Sequence, residues 1–383
     1  MIRLARLLAA ALVLAPPIAA ETQEQAPAVV VNAVELSGDG AIAGNNFNNG
    51  VLLAFKEINA AGGILGRQIE VVPLDIQTKP EVAKAALQKA TELQAFAVMG
   101  PVFSGMVLAT MEDIRRAERP TFVGAEATAV TEQGNPYVFR TSLSQATSMP
   151  KLARYLKDGL RIESVAMVWV DNAFGRGGHE AMAKALAAEG IEVVADLMTS
   201  PEQRDFTDIA AKVSASGASA AFVYLNEREA ADCLQALFEE PFGGWIVGET
   251  TVAGQSVIDL AGSAANGVRA HVGLTPDALI PGIRDFNDRF LEEYKYSSDH
   301  NGMKGYIAAY VLKAATEKVG SFDSKAIAEA MKGLGLSVAD HPGVLLDVKY
   351  DDKGELDRVS FIVRVNGRHQ EMIAILPAAA GGF

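Results

Sequence analysis

With 383 residues the chain is too long for one ordinary core, and it predicts two domains. Its make-up, 49% hydrophobic, 21% charged and 7% aromatic, supplies apolar material for two cores and excludes a disordered chain. A formal net charge of −13, with no block of Lys and Arg, argues against nucleic acid or an anionic membrane surface as a partner.

The chain opens on Arg3 and Arg6, an apolar run from Leu7 to Leu14, and small residues up to Ala20. That order predicts an export signal over residues 1–20, cleaved near Ala20, with the mature product in a periplasm. The run is short for a bilayer span, and Pro16 and Pro17 would stop a domain helix at once. No second long apolar run follows, so no membrane anchor is expected. Cys233 is the only cysteine, which leaves no intrachain disulfide, no Cys-based metal site and no lipid-bearing cysteine after the signal.

From Val29 the sequence alternates β-branched runs with amphipathic stretches. Val29–Glu35, Ile69–Asp75, Phe96–Met99, Pro120–Gly124 and Tyr137–Thr141 read as strands. Helices at Asn49–Ala61, Glu81–Leu93 and Gly105–Ala117 lie between them. The rhythm restarts at Ser148–Lys157 and runs through strands Ser164–Val170, Glu192–Leu197, Ala220–Tyr224 and Trp245–Gly248. Two such α/β blocks predict two lobes with parallel sheets. The third section differs: Pro281–Tyr294, Gly302–Val319 and Ser324–Lys332 are helices with no strand between them, so they must pack onto an existing lobe. Val344–Tyr350 and Val359–Val365 read as a hairpin about Asp351–Gly354, and Asn366-Gly367 turns into a last strand at Glu371–Ile375.

No catalytic set emerges. None of the five histidines has a second at i+4, and neither a G-x-S-x-G elbow nor a Walker A loop is present. Gly38–Ala43 matches G-x-G-x-x-A weakly. A dinucleotide site needs its helix to open at those glycines, and here the helix is expected to start near Asn48. An enzyme, a cofactor and a metal are therefore not expected. Gly100-Pro101-Val102-Phe103-Ser104-Gly105 lies between a strand and a helix. Ser104 at the helix N-cap, beside the free amides of Gly105 and Met106, would suit an anion, or would only cap its own helix.

Gly50–Arg67 (GVLLAFKEINAAGGILGR), Asp75, GPVFSG, Tyr137–Thr141 (YVFRT), Asp171–Gly178 (DNAFGRGG) and Asp205–Val213 (DFTDIAAKV) follow one another at a spacing that resembles the branched-chain amino-acid-binding protein family. These are periplasmic receptors of ABC importers. The resemblance runs from about Val29 to Val365. It implies an α/β fold of two Rossmann-like lobes with parallel central sheets, joined by three crossing strands, with the ligand in the cleft between them. Lobe 1 would comprise residues 28–143 and 274–345, and lobe 2 residues 144–273 and 346–376. The same resemblance implies closure by a hinge, a membrane permease as partner, and a monomer.

The family pattern also implies site residues. Ser104, with Gly105 beside it, and the segment Glu126-Ala127-Thr128 would hold the ligand carboxylate, and Phe174 would pack on the ligand. Ala43 stands where amino-acid binders have a tyrosine, and Asn226 or Glu227 near another aromatic position. The family's common disulfide would fall on Thr78 and Phe103; it is absent, and Phe103 puts a ring beside the carboxylate site. Thr250, next to Glu249, takes the place of the acid that receives the ligand ammonium, and a hydroxyl cannot neutralise a desolvated ammonium. The expected ligand is thus a carboxylate without an α-ammonium, such as an aromatic or 2-oxo acid. A branched-chain or other amino acid is the alternative if Glu126, Glu227 or Glu249 supplies the charge. A ligand-sensing receptor domain is the second.

Overall fold

Each β-branched run followed by an amphipathic stretch closes one β–α unit onto a parallel sheet, and the chain does this in two groups. A computed structural model describes residues 25–240 and 242–378. The export signal expected at 1–20 lies outside them. The first group is β1 (Ala28–Val34), α1 (Ala41–Ala60), β2 (Ile69–Asp75), α2 (Pro80–Glu92), β3 (Ala97–Met99), α3 (Ser104–Ala109), α4 (Met111–Ala117), β4 (Thr121–Val123), α5 (Ala129–Glu132) and β5 (Val138–Arg140). Its sheet is parallel throughout, in the order β2-β1-β3-β4-β5.

The second group runs α6 (Gln145–Arg154), β6 (Ser164–Val170), α7 (Ala173–Ala188), β7 (Glu192–Thr199), α8 (Thr207–Ala215), β8 (Ala220–Tyr224), α9 (Glu227–Glu239), β9 (Trp245–Glu249), α10 (Gln255–Ala261) and β10 (Arg269–Val272). Its five strands are parallel to one another. β8 is buried along its whole length, as a strand covered on both faces must be.

The helices α11 (Pro281–Tyr294) and α12 (His300–Val319) return to the first lobe and pack on α1. The approach of α12 is close: a Cβ on Gly305 would stand 2.1 Å from the carbonyl oxygen of Phe47. After α13 (Ser324–Ala330) a small sheet forms from β11 (Gly335–Leu336), β12 (Val348–Tyr350) and β13 (Leu356–Asp357). It is tied to β5, where the Arg140 amide donates to Gly354 O and the Tyr350 hydroxyl to Arg140 O. The chain then crosses to the second lobe. There β14 (Ser360–Asn366) pairs antiparallel with β10, and β15 (His369–Leu376) with β14. Among the described residues no helix is long and apolar enough to cross a membrane.

Two expectations are corrected. The turn at Asp351–Gly354 joins β12 to β13, not to the strand from Ser360. Two residues of pairing are all the chain makes before it leaves for the other lobe. Helix α1 opens at Ala41, directly after Gly40, and not near Asn48. The distance between the glycines and the helix is therefore no argument against a nucleotide. The surroundings are: a Cβ on Gly40 would lie 2.8 Å from the side chain of Glu35, whose buried carboxyl fills this corner, where a pyrophosphate would need donors.

Candidate ligand-binding cleft

The strands of both sheets end facing one cleft of about 370 Å³. Its first-lobe wall is built from Glu35. This buried carboxylate accepts the amides of Val102 at 3.1 Å and Phe103 at 3.0 Å, which pins the loop after β3 to the end of β1. Burial pushes the Glu35 carboxyl up to about 7 against the pull of those amides. The loop presents Val102, Phe103 and Ser104 to the cleft.

Ser104 is the first residue of α3 and not its N-cap, which is Phe103. The Ser104 Oγ accepts the Ala127 amide at 3.2 Å, so its own proton remains to be given to a ligand. The Met106 amide is turned to Phe103 O at 3.0 Å and is not offered to the cleft.

Glu126, in the loop after β4, reaches the floor. Lys304 of α12 meets its Oε1 at 2.7 Å, and both side chains are almost wholly buried. The same ammonium reaches Gly124 O at 3.2 Å and Asn301 Oδ1 at 3.4 Å, so its three N–H bonds are spoken for. Burial raises the Glu126 carboxyl to about 7 although Lys304 pulls it down.

The second lobe supplies Phe174, Asn226, Glu227 and Thr251. Phe174 stacks on Tyr224 with ring centroids 4.1 Å apart, and its carbonyl receives the Gln145 amide at 2.8 Å. Asn226 caps α9 in a reciprocal box with Glu229, which sets Glu227 on the first turn facing the cleft. Glu227 is buried, its carboxyl is pushed up to about 7 by that burial, and it makes no ion pair among the described residues.

Of the residues singled out from the sequence, Ala43, Phe103, Ser104, Glu126, Phe174, Asn226 and Glu227 line this cleft together. Glu249 and Thr250 do not. They line a smaller cavity on the hinge side, where Thr250 turns its amide and hydroxyl onto Glu249 at 2.7 and 2.8 Å. Ala127 has spent its amide on Ser104. Thr128 faces a separate groove between the lobes and accepts the Ala146 amide at 3.1 Å. Gly105 stands opposite Ala173, where a Cβ would come to 4.0 Å. The sequence reading missed Lys304, His300 and Asn301. Their spacing was the available signal, since positions 300, 301 and 304 put one polar face at the start of an otherwise apolar helix.

A sequence model of the periplasmic binding protein family matches residues 30–370. The chain belongs to that family. It is a solute-binding protein and not an enzyme. The Leu/Ile/Val-binding protein BraC3 of Rhizobium johnstonii is 27% identical over 330 residues, covering 85% of this chain and 88% of the relative. Among solved structures, the substrate-binding protein LivJ of Streptococcus pneumoniae in complex with isoleucine superposes with a TM-score of 0.83 at 21% identity, over 92% of this chain and 99% of that one. A solute-binding protein of an ABC transporter from R. palustris, in complex with benzoate, superposes with a TM-score of 0.83 at 21% identity, over 92% and 98%. These structures share the fold of two α/β lobes.

Proposed function

We propose that this periplasmic binding protein serves an ABC importer and captures a small α-amino acid by closing its lobes. The ligand carboxylate takes the Ser104 proton, the ammonium sits on Glu227, and the side chain lies between Phe103 and Phe174. The observation that carries this reading is the carboxyl of Glu227, buried in the wall of the cleft with no ion-pair contact among the described residues, since Lys304, which lines the same cleft, is engaged by Glu126. A buried carboxylate without a partner is costly, and a ligand ammonium removes that cost. The charge missing at Thr250 is supplied from the end of β8 instead of β9.

A second reading has specific support. Phe103, Phe174 and Ala43 leave an apolar slot, and a structural neighbour holds benzoate. In that reading the cargo is an aromatic or 2-oxo acid, and Glu227 sits protonated beside it.

Glu227→Gln separates the two. For an amino acid, calorimetry with leucine is expected to show a loss of about 3 kcal/mol, over a hundredfold in Kd, because a desolvated charge pair is broken. For a ring acid, benzoate or phenylglyoxylate is expected to bind Glu227→Gln as well as or better than the parent. Tight benzoate binding with no leucine binding would sink the amino-acid reading. Ser104→Ala is expected to weaken binding of either cargo by about 1–3 kcal/mol, the worth of a hydrogen bond to a charged group. Titration of the variant with whichever solute binds the parent checks it, and an unchanged Kd removes Ser104 from the site.

A further inference from the structure

The cleft shares Glu126, His300 and Lys304 of its floor with the hinge-side cavity, which measures about 220 Å³. Side chains around this junction keep polar atoms that meet no hydrogen-bond partner among the described residues: Asn301 Nδ2, His300 Nδ1, Glu126 Oε2, and Nε and Nη1 of Arg358. These are not surface groups, since Asn301 is 1% exposed, Arg358 2%, His300 4% and Glu126 7%. Buried polar atoms are normally paired, so a group of orphans along one floor calls for something that pairs them.

The other atoms of each side chain fix which of its atoms is left over. Lys304 holds Glu126 Oε1 at 2.7 Å and Asn301 Oδ1 at 3.4 Å, which leaves Oε2 of the first and Nδ2 of the second. Arg358 donates from Nη2 to Thr141 O at 3.2 Å, and its Nε and Nη1 have no acceptor. Glu249 lines the same cavity but turns its two oxygens to the amide and hydroxyl of Thr250. Glu126 borders both cavities, Asn301 the cleft and Arg358 the hinge side. The junction thus offers one free acceptor, with donors on either side of it.

We propose that this junction is a subsite for the far end of the solute, and that it selects an amino acid whose side chain ends in a carboxamide. The inference rests on the amino-acid reading above, which puts the carboxylate at Ser104 and the ammonium at Glu227. The side chain passes between Phe103 and Phe174, and its tip meets the floor. There the amide nitrogen donates to Glu126 Oε2, and the amide oxygen, with two lone pairs, accepts from Asn301 Nδ2 and from Arg358. A hydroxyl carries donor and acceptor on one atom, whereas a carboxamide places them on two, as the arrangement requires. An apolar tip leaves every orphan unpaired, at the cost of desolvating each.

Charge favours a neutral tip. When ionised, Glu126 and Glu249 balance Lys304 and Arg358 around the junction. Burial holds His300 well below the usual range and pushes His271, 3.3 Å from Glu249, down to about 3, so both imidazoles are neutral. A carboxylate at the tip would meet Glu126 out of water, and an ammonium would meet Lys304 and Arg358. Either adds an uncompensated charge to a buried, balanced set. Glu227 stands outside this balance, because it lies on the second-lobe wall and takes the α-ammonium.

Calorimetry at about pH 8 tests this with Glu126, Glu227 and Glu249 largely ionised, since burial pushes each up to about 7. Glutamine is expected to bind about tenfold to a hundredfold tighter than leucine or methionine, which keep the same carboxylate and ammonium and still bind. Glutamate, the charged isostere, is expected to bind at least about tenfold more weakly than glutamine. Asn301→Leu is expected to cut the glutamine-to-leucine ratio by about fivefold or more. Asn301→Asp, which keeps the acceptor for Lys304 but loses the donor, is expected to do the same. Leucine, methionine or glutamate bound as tightly as glutamine overturns the subsite and leaves the amino-acid reading standing. So does a ratio that survives both Asn301 variants. If no amino acid binds while benzoate does, the amino-acid reading itself fails, and the subsite falls with it.

Discussion

Lys304→Met is expected to destabilise the folded protein by about 3–5 kcal/mol, the usual cost of breaking a buried ion pair from one side. The methionine fills the space, so the loss is one of charge and not of volume. It strands the Glu126 carboxylate, together with Gly124 O and Asn301 Oδ1, without their donor. The cost depends on pH in a definite direction. Glu126 already titrates high in the folded state, at about 7, and without Lys304 it must rise further. A carboxyl whose folded pKa lies above its unfolded value costs nothing when protonated in both states, and it costs progressively more as pH rises toward the folded value. Urea denaturation should therefore find Lys304→Met closest to the parent near about pH 5 and furthest from it near about pH 8. A difference that is small and constant across pH would mean that Glu126 is solvated and that the floor of the cleft is not dry.

The second large effect is expected at Arg140. Its guanidinium is fully buried and acts as a fork: Nε meets Glu355 at 2.8 Å, Nη1 donates to Ala125 O at 2.8 Å, and Nη2 to Ala127 O at 2.6 Å. These bonds shape the loop that presents Glu126 to the floor and the Ala127 amide to Ser104. Arg140→Leu removes the charge and leaves buried carbonyls unpaired, for an expected loss of about 3–5 kcal/mol. Arg140→Lys is expected to recover only part of this, because a single ammonium cannot reproduce the planar fork. Both variants should also bind solute more weakly, since Ser104 loses the neighbour that orients it. Denaturation and calorimetry on the same preparations check the pair of effects. Full recovery of stability by lysine would show that charge alone is needed there.

The architecture was legible because the signals that encode it are periodic. The alternation through Val272 and the three helices without strands each forced one topology. Much of the cleft was legible for a different reason. Ala43, Phe103, Ser104, Phe174 and Glu227 sit at strand ends and loop positions where the family pattern carries meaning. The floor was not legible. Lys304 comes from a helix late in the chain that returns to the first lobe, so its meeting with Glu126 is a contact across 178 positions. No local pattern announces such a pair. Thr250 drew attention as a missing charge. The carboxyl beside it, Glu249, points to the hinge side, and the unpaired acid of the cleft is Glu227. Which of several neighbouring acids faces a cavity depends on strand-end geometry, and composition does not encode it.

The return of α12 to α1 has a consequence for how the protein is made. α1 occupies residues 41–60, and the helix that covers it occupies residues 300–319. A nascent chain that has emerged only through Val272 contains every parallel strand of both sheets, yet one side of its first lobe is still bare. The second sheet in turn waits for β14 and β15, the last elements among the described residues. Neither lobe can finish as a unit in the order of synthesis, unlike domains that fold one after another as they emerge. Both lobes stay incomplete until α12 has been made, and a truncation anywhere before residue 300 spoils both halves together.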